Sequence, residues 1–286
     1  MATRETYRCF DLLFDSPVEL PLPTATGDPD VRIETGTVEE RVLAAPVDET
    51  RGGVRIPDVA TLSAHEGRRL VVDRAEGVSA AALAGPILGV GIAALCHQRG
   101  RDLLHGSAAL IDGGVVVIVG PSGAGKSTLA MQLAAAGGTV LADDVVPVLA
   151  DRPALIAGPP LVRTTPTAVE ATGLTPVERH PLATGDGAIH RLSPDRSGAV
   201  LPIDAIVALD DDGGRRSPAA AALTLLGASY TTHLDARPDT VERTVDRWTA
   251  LAESVPVVSV AGADGDRSAV ETRAAVRAVL EEGNVA

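Results

Sequence analysis

Lysine is almost absent from this chain of 286 residues: of its 25 basic residues one is lysine and 24 are arginine. Aromatic residues are nearly as scarce, at 2 %. The interior must therefore be filled by Ala, Val and Leu, which dominate an apolar content of 45 %. Cysteine occurs twice, at Cys9 and Cys96, far apart and in no Cys-x-x-Cys or Cys/His spacing. That excludes a disulfide framework and a structural zinc site, and predicts a reduced, cytoplasmic setting. Positive charge is short as well, with 25 basic against 38 acidic residues, a net charge of −13 and a pI near 4.9. Nonspecific binding to nucleic acid or to an anionic membrane is excluded on that balance. No apolar run of signal-peptide length follows Met1. One long apolar run is present, Ala80 to Cys96, but it is mostly Ala and Gly and contains Pro86. It is read as a buried core helix capped by Ser79, not as a membrane span.

The single lysine, Lys126, lies in Gly120, Pro121, Ser122, Gly123, Ala124, Gly125, Lys126 and Ser127, continued by Thr128. The segment fits the pattern G-x-x-x-x-G-K-[ST] of a phosphate-binding loop at every fixed position. An ammonium on a flexible stem reaches between the β- and γ-phosphates of a nucleotide as a point charge. A guanidinium is a broad planar fork that needs a different cradle. In this reading the backbone N–H groups of Gly123, Gly125 and Lys126 point into one concavity, the following helix directs its positive end at the phosphates, and the Ser127 hydroxyl meets Mg²⁺.

The flanking sequence supplies the strand and helix that such a loop requires. Gly106–Leu110 and Val115–Val119 predict a hairpin around Asp112-Gly-Gly114, the second strand feeding the loop. From Ser127 onward a strong helical run ends at Gly137-Gly138. Upstream, residues 1 to about 77 hold short β-like runs (Val31-Arg-Ile33, Val54-Arg-Ile56, Leu70-Val-Val72) broken by Pro, Gly and Asp. These predict a small, mainly antiparallel sheet. The chain thus divides into a β-rich region with the buried helix, 1–95, and a catalytic region, 96–286.

Thr139 to Val146 reads as an apolar strand carrying the pair Asp143-Asp144. A strand-end Asp beside a phosphate loop holds Mg²⁺ directly or through water. Strand neighbours point to opposite faces, so the two cannot share a role in extended backbone: one faces the metal and the other the incoming nucleophile. His105, in Leu103-Leu-His-Gly-Ser107, is read as opening the strand before the hairpin, with a core role and a site role both open.

Leu104-His-Gly-Ser-Ala108, the loop from Gly120 to Thr128, and Leu141-Ala-Asp-Asp-Val145 together resemble the catalytic core of the HPr kinase/phosphorylase family. The spacings agree, His105 preceding Gly120 by 15 positions and Asp144 following Lys126 by 18. Leu20-Pro-Leu-Pro23, Gln98-Arg-Gly100 and Leu201-Pro-Ile-Asp-Ala-Ile206 are similar to the HPr-kinase-like proteins encoded with lasso-peptide and related peptide-modification systems. The detailed likeness covers roughly residues 95 to 165. It implies an α/β fold of the HPr kinase/phosphoenolpyruvate carboxykinase type and phosphotransfer from ATP with Mg²⁺ to a serine of a protein or peptide. By the same resemblance Lys126 contacts the β/γ-phosphates, Ser127 binds Mg²⁺, Asp144 accepts the proton of the acceptor hydroxyl, Asp143 is its metal-side neighbour, and His105 is an active-site polar group. Glu170-Ala-Thr-Gly173 stands near the family's Glu-Ile-Arg-Gly stretch without its Arg. Glu170 is implied as a second metal ligand, and the phosphorylase reaction is left open. Arg163 and Arg191 are candidates for phosphate or substrate contact.

The remainder reads as scaffold: a strand at Ile203–Leu209 ending in the acidic turn Asp210-Asp-Asp-Gly-Gly214, a helix at Ala219–Leu226, a second helix with Val241, Val245, Trp248 and Ala252 on one face, a strand at Pro256–Val260, and a capping box at Ser268-x-x-Glu271. Thr164 to Ser197 shows no clear element and is read as a mobile substrate loop. The expectation is a kinase acting with ATP and Mg²⁺ on a Ser/Thr hydroxyl of a peptide or protein, with self-association left open. A small-molecule kinase, for instance on free serine, and a non-catalytic nucleotide-binding regulator are the alternatives.

Overall fold

The computed structural model describes residues 4–43, 47–149, 151–182, 185–210, 213–260, 274 and 277–281. It is a mixed α/β fold with three sheets. The proposed capping box at Ser268 and Glu271, and Asp211-Asp212 of the acidic turn, lie outside the described residues.

The N-terminal sheet has six strands, β1 (Glu5–Cys9), β2 (Leu12–Ser16), β3 (Val31–Thr35), β4 (Arg51–Ile56), β5 (Ala60–His65) and β6 (Arg69–Arg74), in the order β1-β2-β3-β6-β5-β4. The expected runs at 31, 54 and 70 fall on β3, β4 and β6. Three of its pairings are antiparallel and two, β2–β3 and β3–β6, are parallel. Alternation fixes its facing: Leu62 and Ala64 on β5 with Leu70 and Val72 on β6 point into the core, where each is at most 2 % exposed.

Ala81–Gln98 is the apolar helix, its start capped by the Ser79 hydroxyl accepting from the Ala82 N–H at 3.3 Å. It is long and apolar enough to cross a membrane by composition, but most of it is buried inside this protein. The helix is not regular. At Gly89 the backbone leaves helical geometry (φ −92°, ψ −107°), kinking the element in the middle.

The central sheet has eight strands: β7 (Asp102–Ile111), β8 (Gly114–Val119), β9 (Thr139–Val148), β10 (Ala154–Ile156), β14 (Val200–Pro202), β15 (Ala205–Leu209), β16 (Gly214–Arg215) and β17 (Val257–Val260), ordered β14-β10-β9-β7-β8-β15-β17-β16. The hairpin β7–β8 turns through Asp112 and Gly113, both at positive φ as a two-residue primed turn requires. β8 is an unbroken apolar run because both faces are covered. Val115, Val117 and Val119 join the core shared with the N-terminal sheet and the kinked helix, while Val116 and Ile118 join a second core under the helix Lys126–Ala135. His105 lies inside β7, not at its start; Asp102–Leu104 extend the strand because they continue its pairing with β9.

Two further expectations fail. Thr164–Ser197 is built of regular elements. Beyond β11 (Leu161–Thr164) come the helix Pro166–Thr172, β12 (Glu178–Pro181) and β13 (Ala188–Arg191), and the three strands form a sheet of their own in the order β11-β13-β12. These strands are four residues each and largely polar, so backbone pairing defines them where hydrophobic alternation does not. In the helix Pro238–Ser254 the buried face runs through Thr240, Thr244, Trp248, Leu251 and Ala252, while Val245 is exposed and Val241 half-buried. The threonines can be buried because their hydroxyls are satisfied, Thr240 by Asp235 at 2.8 Å and Thr244 by the Thr240 carbonyl at 2.7 Å.

Candidate active site

β8 ends at Val119 and the chain turns at once into the glycine-rich loop, which hands over to the helix Lys126–Ala135. Gly123 (φ 83°) and Gly125 (φ 94°) take left-handed conformations that a side chain would oppose. The loop closes on itself through Lys126, whose Nζ donates to the carbonyls of Gly120 at 3.0 Å and Pro121 at 2.9 Å. Burial draws the ammonium's pKa below its ordinary value, against the pull of Asp143 and Asp144 in the other direction.

Beside the loop opens a cavity of about 450 Å³. One wall is Ser122, Gly123 and Gly125 through Thr128; the other is His105, Asp143, Asp144, Arg163 and Thr164. The structure therefore brings Lys126, Ser127, both carboxylates and His105 to one place. Gly120, Pro121 and Ala124 shape the loop without lining the cavity.

Asp143 is enclosed. Its Oδ1 accepts from the hydroxyls of Ser107 at 2.6 Å and Ser127 at 2.8 Å, and its Oδ2 from the Arg163 N–H at 2.9 Å. Burial nonetheless outweighs these donors and holds its pKa above the usual carboxylate value. Asp144 goes the other way. Burial pushes it up, but the His105 ring and the charges of Arg163 and Lys126 outweigh burial and bring it below the usual value. His105 Nδ1 stands 3.2 Å from Asp144 Oδ1 and Arg163 Nη1 3.3 Å from Oδ2. The adjacent residues were expected on opposite faces, yet both line the same cavity. The cause is the backbone: Asp144 is at φ +72°, a left-handed conformation Asp tolerates better than most residues, and it breaks the alternation of β9.

Several neighbours at this site carry no signal of their own in the sequence. Ser107 sits two residues after His105, but only the register Ser107↔Asp143 across β7–β9 gives it a partner. Tyr230, at the start of the helix Tyr230–Leu234, meets the His105 ring edge-on, centroids 5.6 Å apart and planes at 75°. The kinked helix supplies a third. Arg163 Nη2 donates to the Gly85 carbonyl at 3.0 Å, and a Cβ at Gly89 would lie 2.9 Å from Asp144 Oδ2 and 3.1 Å from Arg163 Nη2. The helix backbone can pass over this pair only because residue 89 has no side chain.

Two candidates are not brought here. Glu170 is exposed on the helix Pro166–Thr172 and is not in the cavity wall, so it is no partner for Asp143. The helix carries it away from β11, turning only Val169 inward. Arg191, on β13, is engaged by Glu178 of β12 at 2.6 Å, outside the cavity. Among the described residues no group of three or more His, Cys, Asp or Glu could enclose a metal ion. The donors present, one carboxylate with a serine hydroxyl, suit a cation that also keeps waters and takes substrate oxygens, as Mg²⁺ does.

No family model matches the chain, and no curated protein matches it. Among solved structures it is similar to the Hpr(Ser) kinase/phosphatase from Coxiella burnetii, with a TM-score of 0.33 and 13 % identity, over 64 % of this chain and 96 % of that one.

Proposed function

We propose that this protein is a kinase that transfers the γ-phosphoryl group of ATP to a Ser or Thr hydroxyl of a peptide or protein. The observation that carries the reading is a pair of adjacent carboxylates, Asp143 and Asp144, on one cavity wall, facing the glycine-rich loop and its lysine. In phosphoryl transfer a protein mainly positions groups and neutralises charge, and one carboxylate at the nucleophile suffices as base. Asp144, kept ionised by Arg163 and His105, accepts the proton of the acceptor hydroxyl. The hydroxyl oxygen bonds to the γ-phosphorus as the bond to the β–γ bridging oxygen breaks, and ADP leaves with that electron pair. Lys126 exchanges its loop carbonyls for phosphate oxygens, and Arg163 adds a second positive charge at the same wall. Asp143 and Ser127 would hold Mg²⁺, which when bound supplies charge neutralisation on the phosphates.

The test uses γ-labelled ATP, Mg²⁺, a library of Ser/Thr peptides and, separately, free serine. Label should enter peptide hydroxyls. Asp144→Asn should keep ATP·Mg²⁺ binding within a few-fold while lowering transfer by roughly 10²–10⁴, the usual contribution of a general base. Asn also tolerates the left-handed backbone at this position, so the charge alone is removed. Label in free serine and in no peptide would make the protein a metabolite kinase. Tight ATP binding with transfer to no hydroxyl would refute the kinase reading and leave a regulator.

A further inference from the structure

The N-terminal sheet has a second face, and it is not a plain solvent face. Ser63 and Val71 are paired across β5–β6 and point away from the core, by the same alternation that sends Leu62 and Leu70 inward. Both are nevertheless buried, at 2 % and 7 % exposure. The cover is the strap that follows β3. Gly36 passes Val71, a Cβ there lying 3.6 Å from its Cγ1, and the Val38 N–H donates to Asp73 at 2.9 Å. The strap's short helix, Glu40–Leu43, packs on β4: a Cβ at Gly53 would lie 2.9 Å from Leu43 Cδ2. Between strap and sheet is a cavity of about 450 Å³, the same volume as the one beside the glycine-rich loop. Ligand sites have volumes of ≈ 300–1,000 Å³.

Its lining carries an excess of one positive charge in a chain whose net charge is −13. Arg41, Arg51 and Arg69 line it, against Glu34 and Glu39. Arg69 pairs with Glu34 at 2.8 Å and Arg41 with Glu39, while the Arg51 guanidinium has no carboxylate partner among the described residues. Deeper in, the Ser63 hydroxyl and His65 Nε2 are 2.8 Å apart. Burial first, and then the charges of Arg69 and Arg51, hold the imidazole below its ordinary pKa.

We infer that the strap-covered cavity on the outer face of the N-terminal sheet is a second binding site, for a small phosphate- or carboxylate-bearing metabolite held by Arg51 with Arg69 and the Ser63–His65 pair. A guanidinium fork matches either oxyanion in two parallel hydrogen bonds. The site shares no residue with the cavity at Lys126, and the inference stands apart from the kinase reading.

The test is calorimetric titration of the full chain carrying Lys126→Ala, which removes the loop lysine as a competing anion site. Inorganic phosphate and citrate are the two titrants, one for each oxyanion. At least one should bind with a Kd below about 1 mM. Arg51→Ala and Arg69→Gln, added singly, should each weaken it by about tenfold, as expected for loss of a charge-assisted contact. Thermal melts without titrant show whether these exposed substitutions leave the fold intact. Binding of one titrant alone identifies the oxyanion recognised. Absence of binding by both titrants overturns the inference, as does binding unaltered in both arginine variants of unchanged melting temperature. ATP·Mg²⁺ binding by Arg51→Ala with Lys126 intact should equal that of the unaltered chain, so this site and the nucleotide site fail independently.

Discussion

Gly89→Ala is a perturbation whose size follows from the geometry. The added Cβ would lie 2.9 Å from Asp144 Oδ2, where ordinary contact begins at 3.4 Å, so about half an ångström must be found. Arg163 can swing its guanidinium, but Asp144 has a short side chain on left-handed backbone, tied to His105 and Arg163. The Asp144 carboxylate therefore moves. A misplacement of about 1 Å costs roughly 10²-fold in rate, so half of that predicts a loss of about tenfold in turnover. Overpacking adds a stability cost of about 1–3 kcal/mol. ATP·Mg²⁺ affinity should stay within about threefold, since the loop does not touch Gly89. The assay is ATP turnover with water as the default acceptor, alongside nucleotide titration and a thermal melt. Gly85→Ala is the control. Its Cβ would meet only the flexible end of Leu182, at 3.2 Å, so turnover should hold while the same helix is altered. Wild-type turnover and an unchanged melting temperature in Gly89→Ala would refute the placement of the helix over the Asp144–Arg163 pair.

Lys126→Arg keeps the charge but not the shape, and should lose most turnover, because the fork does not fit a cradle closed on the Gly120 and Pro121 carbonyls; activity near wild type would remove the lysine from phosphate contact. Ser107→Ala deletes a donor that lowers the Asp143 pKa, so Asp143 should protonate at a still higher pH; the acid limb of Mg²⁺-dependent ATP binding should move up in pH, and an unmoved limb would separate Asp143 from the cation. Asp235 is wholly buried, and although burial raises its pKa, Arg237 and Thr240 bring it well below the ordinary value. Because that folded pKa is depressed, its stabilisation is present above the ordinary Asp range and fades as pH falls toward the folded value. Asp235→Asn should therefore cost about 2 kcal/mol near pH 7 and progressively less in acid, by denaturant titration.

Local signals carried most of the candidate site. The loop, the strand before it and the helix after it are contiguous in sequence, and backbone shape dictates their residue types, so they read directly. The apolar helix and its Ser79 cap read equally well, because burial and capping leave composition behind. What failed to read was set by contacts between distant segments. Asp143 and Asp144 looked opposed because alternation is the default of a strand, and nothing near them signals a left-handed residue. Glu170 looked like a ligand by its place in a motif, but the helix that carries it faces elsewhere. The burial of Thr240 and Thr244 depends on hydroxyl partners that a hydrophobic pattern does not encode. Ser107 became legible only through the register of β7 against β9.

The kinked helix touches both sheets through bare backbone. At Gly91 a Cβ would lie 3.0 Å from Leu70 and 3.1 Å from Leu62, on the inner face of the N-terminal sheet; at Gly89, two residues earlier, it would meet Asp144 and Arg163. Cut before residue 96, the chain would keep Lys126, Ser127, Asp143 and Asp144 and every sequence mark of the site. It would lose the Gly85 carbonyl that holds the Arg163 guanidinium and the roof over the carboxylate. The site is thus a joint property of two stretches of chain, and a fragment chosen by its motifs alone would inherit the parts without the fit.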